Sequence, residues 1–147
     1  MTLSSRHFLP WEIAPGLTPD LQWDNPVAQA LPIDQRILDT ADEVRDIVGG
    51  PCKINDYAAG REFCGIRTPR CPEYSPGSWH SVTPQHLCGA VDIHPMEMSA
   101  DDARAKIRLA VAAGQLQHAG RIEIGVSWVH IDIGPRNPDG TLHEFTA

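Results

Sequence analysis

Ser127-Trp-Val-His130-Ile-Asp132-Ile-Gly134 alternates without a break, Val129, Ile131 and Ile133 on one face and Trp128, His130 and Asp132 on the other. That period of two is a β-strand with one apolar face, and its other face carries an imidazole and a carboxylate. A second stretch, Thr83-Pro-Gln-His86-Leu-Cys-Gly-Ala-Val-Asp92-Ile-His94, repeats the combination in an apolar, glycine-punctuated setting. A short strand or its flanking turn carries metal ligands in this way, and two such stretches can meet around one ion.

Working outward, Arg121-Ile-Glu-Ile-Gly-Val126 reads as the strand before Trp128–Ile133, joined to it by a tight turn at Gly125 to Ser127. Cys52-Lys-Ile-Asn-Asp-Tyr57 reads as a further short strand. Two helices are expected. The first runs from Asp34, an N-cap after Pro32, to Val48 before Gly49-Gly50-Pro51, with Ile37, Ala41, Val44 and Val48 on one face. The second opens on Ser99-Ala-Asp-Asp102, a capping-box variant, and runs to Ala113 with Ala103, Ile107, Ala110 and Val111 toward the core. Between the first strand and Gln85 lies a long irregular region rich in glycine and proline; a run of this length in a small domain is usually functional, here as the wall of a site.

The expected fold is therefore α+β: a small antiparallel sheet carrying the site, two main helices packed on it, and a long loop wall. At 147 residues the chain suits one domain with a real core. Its expected parts are an arm over 1–32, a core over 33–135 and a surface turn and tail over 136–147. The arm holds Trp11 and Trp23 among prolines and turn formers, a composition that forms no long regular element. Burying the tryptophans calls for packing against the domain, and docking onto a partner is the functional alternative.

A net charge of −7 argues against nucleic acid, whose phosphates need clustered Lys and Arg. No run of about 18 apolar residues predicts membrane insertion, and the N-terminus lacks a signal-peptide core. The expectation is a protein made in a cytoplasm. Cys52, Cys64, Cys71 and Cys88 lack the short C-x-x-C spacing of a structural zinc site and read as free thiols, Cys88 as a small buried filler.

Four landmarks in order carry a resemblance: Ile54-Asn55-Asp56-Tyr57, Gly65-Ile-Arg67-Thr-Pro69, His86-Leu-Cys-Gly89-Ala-Val-Asp92-Ile and Trp128-Val-His130-Ile-Asp132. Together they resemble the zinc D-Ala-D-Ala carboxypeptidase and phage endolysin family (peptidase family M15), over about residues 35 to 135. That family's pattern includes Ser-x-His-x-x-Gly-x-Ala-x-Asp and closes on an aromatic-x-His segment. The resemblance implies a D-Ala-D-Ala carboxypeptidase-like fold, Zn2+ held by His86, Asp92 and His130, and Arg67 clamping a substrate carboxylate or carbonyl. A guanidinium suits that task as a planar, permanently charged fork.

A nearby carboxylate must move the proton of a zinc-bound water. Many members of the family place an Asp or Glu where this chain has Ser127, leaving Glu123 on the adjoining strand and Asp132 beside His130 as alternatives. Asp132 could instead orient a ligand histidine, and Glu123 could be only a solvated strand residue. Two further departures concern His86: it stands one residue closer to Asp92 than the pattern has it, and Pro84 occupies the expected serine. Trp128 and His80, the latter in the loop wall beside Trp79, are candidate substrate contacts.

The function implied is hydrolysis of peptidoglycan stem peptides or cross-links by a zinc metallopeptidase, as a phage-encoded lysin or virion-associated enzyme. It would be made in a host cytoplasm and act at the bacterial cell wall or be carried in a virion. The alternative is a virion or tail structural protein that keeps the peptidase fold for attachment, with tail proteins docking through the arm.

Overall fold

The computed structural model describes residues 2–14, 16–55 and 65–146. The Asp56-Tyr57 half of one landmark, Cys64 and the first part of the expected loop wall lie outside them. In chain order the elements are α1 (Pro10–Ile13), α2 (Pro26–Gln29), α3 (Gln35–Val48), β1 (Cys52–Ile54), β2 (Ala90–Pro95), α4 (Ala100–Ala112), β3 (Arg121–Glu123), β4 (Val129–Asp132) and β5 (His143–Phe145). The class is mixed α+β.

The two long helices begin where their caps dictate. The Asp34 carboxylate accepts from Arg36 N at 2.9 Å, and Ser99 Oγ accepts from Asp102 N at 3.0 Å, each taking up an amide that the first turn leaves without a partner. Gly49, at φ 74°, closes α3 in the left-handed conformation that a side chain disfavours. Ile37, Leu38, Ala41, Val44 and Val48 of α3 and Ala103, Ile107 and Ala110 of α4 are buried in the same hydrophobic cluster as Val91, Ile93, Ile122, Val129 and Ile131 of the sheet.

The strand order is β1-β2-β4-β3-β5. All neighbours pair antiparallel except β3 and β5, which run parallel, so the sheet is mixed where a purely antiparallel one was expected. The difference comes from the C-terminal segment. The segment expected over 136–147 as a surface turn and tail folds back within its described part, residues 136–146, so that Leu142 enters the core and His143–Phe145 becomes an edge strand. Arg136 fastens this return by donating to the carbonyls of Leu116 at 2.6 Å and Ala119 at 2.7 Å.

The arm packs over the domain, though one of its two tryptophans does not share in the packing. Phe8 and Ile13 are buried, and Trp23 Nε1 donates to Phe8 O at 2.7 Å, while Trp11 stays at the surface. The Asp42 carboxylate of α3 holds it by accepting from Ser5 Oγ, Arg6 N and His7 N at 2.7, 2.9 and 3.1 Å. At its inner end Ile13 O lies 3.4 Å from Asn55 Nδ2, and Asn55 Oδ1 in turn accepts from Asp92 N at 3.1 Å. Asn55 is fully buried at φ 57°, a left-handed position that asparagine tolerates better than most residues. The arm thus braces the strand that carries Asp92.

Candidate metal centre

On the central strands, β2 and β4 pair in the register Asp92↔His130, which sets the carboxylate and the imidazole side by side. The third member comes from outside the sheet. Gly89 N donates to Trp79 O at 2.8 Å, and Arg67 N donates to His80 O at 3.0 Å, so residues 79–80 are pinned against the start of β2. A side chain at position 89 has no room: its Cβ would stand 2.8 Å from Ile133 Cγ1 and 3.0 Å from Trp79 Cε3. The glycine lets this crossing close, and His80 arrives beside Asp92 and His130.

His80 Nε2, Asp92 Oδ1 and His130 Nδ1 form a triangle with edges of 3.3, 3.1 and 3.2 Å. All three residues are buried. Four ligands placed tetrahedrally about 2.0–2.1 Å from an ion stand about 3.3 Å from one another. The donor set and its spacing therefore suit a metal bound by three protein atoms with a further position open, and His80, Asp92 and His130 are the group of three that does so among the described residues.

The ring tautomers follow from what lies behind each histidine. His80 Nδ1 faces Gly65 O at 3.1 Å, so it carries the proton and Nε2 is left bare toward the triangle. His130 Nε2 faces Asp132 Oδ2 at 3.0 Å, which leaves Nδ1 bare on the same side. Three lone pairs thus point at one spot. Without a cation their mutual repulsion must be relieved by a proton, and His130 takes it: burial opposes the charge, but Asp132 and Asp92 overcome burial and raise its pKa to about 9. His80 shifts the other way, because burial dominates and its single carboxylate neighbour is shared with His130. Burial also works against the charge on Asp92, yet His130 and His80 hold its carboxyl far below the usual range.

These contacts sort the expected residues. Asp92 and His130 stand where expected, in the triangle. His86 does not. The Thr83–His86 turn, closed by Thr83 N donating to His86 O at 2.9 Å, swings its ring outward. There it stacks on Trp79 with centroids 4.5 Å apart and turns Nδ1 to Leu87 O. His80, expected only as a substrate contact, takes its place.

Asp132 is fully buried behind His130, with both oxygens engaged: Gly134 N and Arg121 Nε reach Oδ1 at 2.9 and 3.0 Å, and Arg121 Nη2 and His130 Nε2 reach Oδ2 at 2.9 and 3.0 Å. Although burial disfavours its charge, His130 and Arg121 keep its pKa low. It lies on the far side of the His130 ring from the triangle, so it orients that ring and is out of place for moving a proton at the open position. A cleft of about 490 Å³ opens over the triangle, and Arg67, Trp79, Arg121, Glu123, Trp128 and Phe145 share its walls. Of the two carboxylates weighed for proton transfer, Glu123 is the one that faces this cleft. The Arg67 side chain is mostly buried there, and its Nη2 lies 3.5 Å from Glu73 Oε2.

The shape of the β3–β4 turn, which carries Glu123 and Trp128, is held from below. The buried Arg104 of α4 donates to Trp128 O and Val126 O, both at 2.9 Å, and to Glu123 O at 3.4 Å. Burial raises the Cys88 thiol to about 12, which makes it the inert filler expected; Cys52 and Cys71 are also free thiols. No described helix is long and apolar enough to cross a membrane.

Comparison with known proteins finds no family model, no curated protein and no solved structure that matches this chain.

Proposed function

We propose that this chain is a zinc-dependent peptidase that hydrolyses peptidoglycan stem peptides or cross-links, as a phage lysin or virion-associated enzyme acting at the bacterial wall. The observation that carries the reading is the His80–Asp92–His130 triangle, buried on its protein side and open to a cleft on the other. Two imidazoles and one carboxylate with an open position are the ligand set of a catalytic rather than a structural zinc. The resemblance to the carboxypeptidase and endolysin family also improves once His80 is the ligand. Ser78-Trp79-His80 then supplies Ser-x-His and Ala90-Val91-Asp92 supplies Ala-x-Asp, with a longer loop between them and Gly89 one residue closer to Asp92 than the pattern has it.

Zinc held here would polarise a carbonyl and bring the pKa of a bound water toward neutrality. The chain's own residues supply what else hydrolysis needs. Glu123 faces the cleft and is placed to accept the proton of the attacking water. Arg67 presents a guanidinium to the substrate's carboxylate or carbonyl, and Trp79 and Trp128 offer flat apolar walls to the peptide. Asp132 keeps His130 in the tautomer that ligates through Nδ1.

The test is to purify the protein without added metal, determine zinc per chain, and incubate it with peptidoglycan and synthetic stem peptides while following new amino groups and free D-alanine. Hydrolysis that chelation abolishes and zinc restores is expected. Absence of metal binding, or full hydrolysis by His80→Ala, sinks the proposal. Zinc bound tightly without any hydrolysis favours instead an attachment module of a virion or tail that keeps the peptidase fold, with the arm as a docking segment for tail proteins.

A further inference from the structure

Arg121 was not among the residues expected at the site, and its setting is unlike that of an ordinary surface arginine. It opens β3 directly across from Asp132, so its side chain rises on the polar face of the sheet beside His130. Three restraints fix the guanidinium. Its Nε and Nη2 are taken up by the Asp132 carboxylate at 2.9–3.2 Å, and its Cζ lies 4.5 Å above the centre of the Phe145 ring. Nη1 hydrogen-bonds to none of the described residues, about a quarter of the side chain is exposed, and the group lines the cleft over the metal triangle.

A guanidinium held at one edge and one face leaves a preorganised end, and a carboxylate arriving there loses little freedom of the protein in binding. Arg67 stands elsewhere in the cleft, on the His80 side, through its backbone pairing beside Ser81. The two arginines therefore address different parts of one bound peptide.

Resting on the peptidase reading, we infer that Arg121 is a specificity-determining residue: it selects peptides that carry a carboxylate on the β3–β5 side of the metal, separate from the group that Arg67 holds. The ligand class is an acidic peptide, and an otherwise identical peptide with that carboxylate amidated is the one rejected. The acidic residue of a peptidoglycan stem, which exists with its carboxylate free or amidated, is a natural place for such a choice.

The experiment measures equilibrium binding of two stem tripeptides, L-Ala-γ-D-Glu-L-Lys and the same peptide with the glutamate α-carboxylate amidated, to the zinc-loaded protein by calorimetry. Glu123→Gln is the background, so that slow turnover does not consume the ligand. A preference of at least about tenfold for the carboxylate is expected, the worth of one hydrogen bond between charged groups. Arg121→Gln is expected to cut it to about twofold or less while zinc content stays at the parent level, which shows that His130 is still held by Asp132. If Arg121→Gln does not fold, Arg121→Lys keeps a cation against Asp132 without the planar fork and is expected to lower the preference at least about fivefold. Equal binding of the two peptides by the parent, or an unchanged preference in a folded Arg121 variant, overturns the inference and leaves the peptidase reading standing. Failure of both peptides to bind the zinc-loaded parent overturns the inference, and the peptidase reading then stands or falls on its own hydrolysis test.

Discussion

Replacing His80 and His86 separately by alanine sets the geometry of the fold against the spacing in the sequence. Structural zinc bound by small peptides contributes about 10–16 kcal/mol in all. Shared among three or four ligands, that is about 3–5 kcal/mol each, so losing one ligand should weaken metal binding by roughly 10² to 10⁴. His80→Ala removes Nε2 from the triangle and should show this loss. His86→Ala removes only a ring stacked on Trp79, which is worth about 0.5–1.5 kcal/mol of packing, and should leave metal affinity within about a factor of two. The assay is competition for zinc against a chromogenic chelator at fixed pH. Because His80 is buried and its Nδ1 faces Gly65 O, His80→Ala should also cost about 2–3 kcal/mol of stability, and denaturation of the metal-free forms identifies that part. A loss of zinc in His86→Ala as large as in His80→Ala, or no loss in either, would refute the assignment of the triangle.

Asp132→Asn should lower metal affinity about 10- to 100-fold through the His130 tautomer, seen in the same chelator competition. Glu123→Gln should keep one zinc per chain but lower hydrolysis by about 10²- to 10⁴-fold; parent-level turnover would remove Glu123 from proton transfer. In the metal-free protein His130 has a pKa raised in the folded state, so its stabilisation is complete below about pH 6.5 and is lost as pH rises through about 9. Denaturant unfolding across that window should lose on the order of 3 kcal/mol in the metal-free form, and zinc, which keeps His130 deprotonated, should flatten the slope. Gly120→Ala should cost about 3 kcal/mol or more, since a Cβ there would fall 1.4 Å from Gly134 O, and a Tm within a few degrees of the parent would contradict the close approach of those two backbones.

The long helices and the strand that carries His130 were legible because each has its own local signal. Asp34 and Ser99 cap, Gly49 stops, and Val129, Ile131 and Ile133 alternate against His130 and Asp132. The C-terminal strand was not legible. His143–Phe145 is three residues long with a largely exposed pattern, and only its pairing with β3 makes it a strand. Arg121 escaped notice for a related reason: its role comes from the cross-strand neighbour Asp132 and from Phe145, neither of them near it in sequence.

The same division runs through the candidate metal centre. The sequence brought Asp92 and His130 together through the resemblance, and the alternation of Trp128–Ile133 set His130 on the chemically distinctive face of its strand. It also held a signal for the third ligand, Ser78-Trp79-His80, which the nearer His86 obscured by spacing. Which histidine completes the triangle was decided only in three dimensions. A strand fixes side-chain direction through a repeating dihedral, whereas the loop from Trp79 to Cys88 has no such period. Its course depends on Gly89 accepting a close crossing by Trp79, and that crossing turns His80 inward and leaves His86 outside.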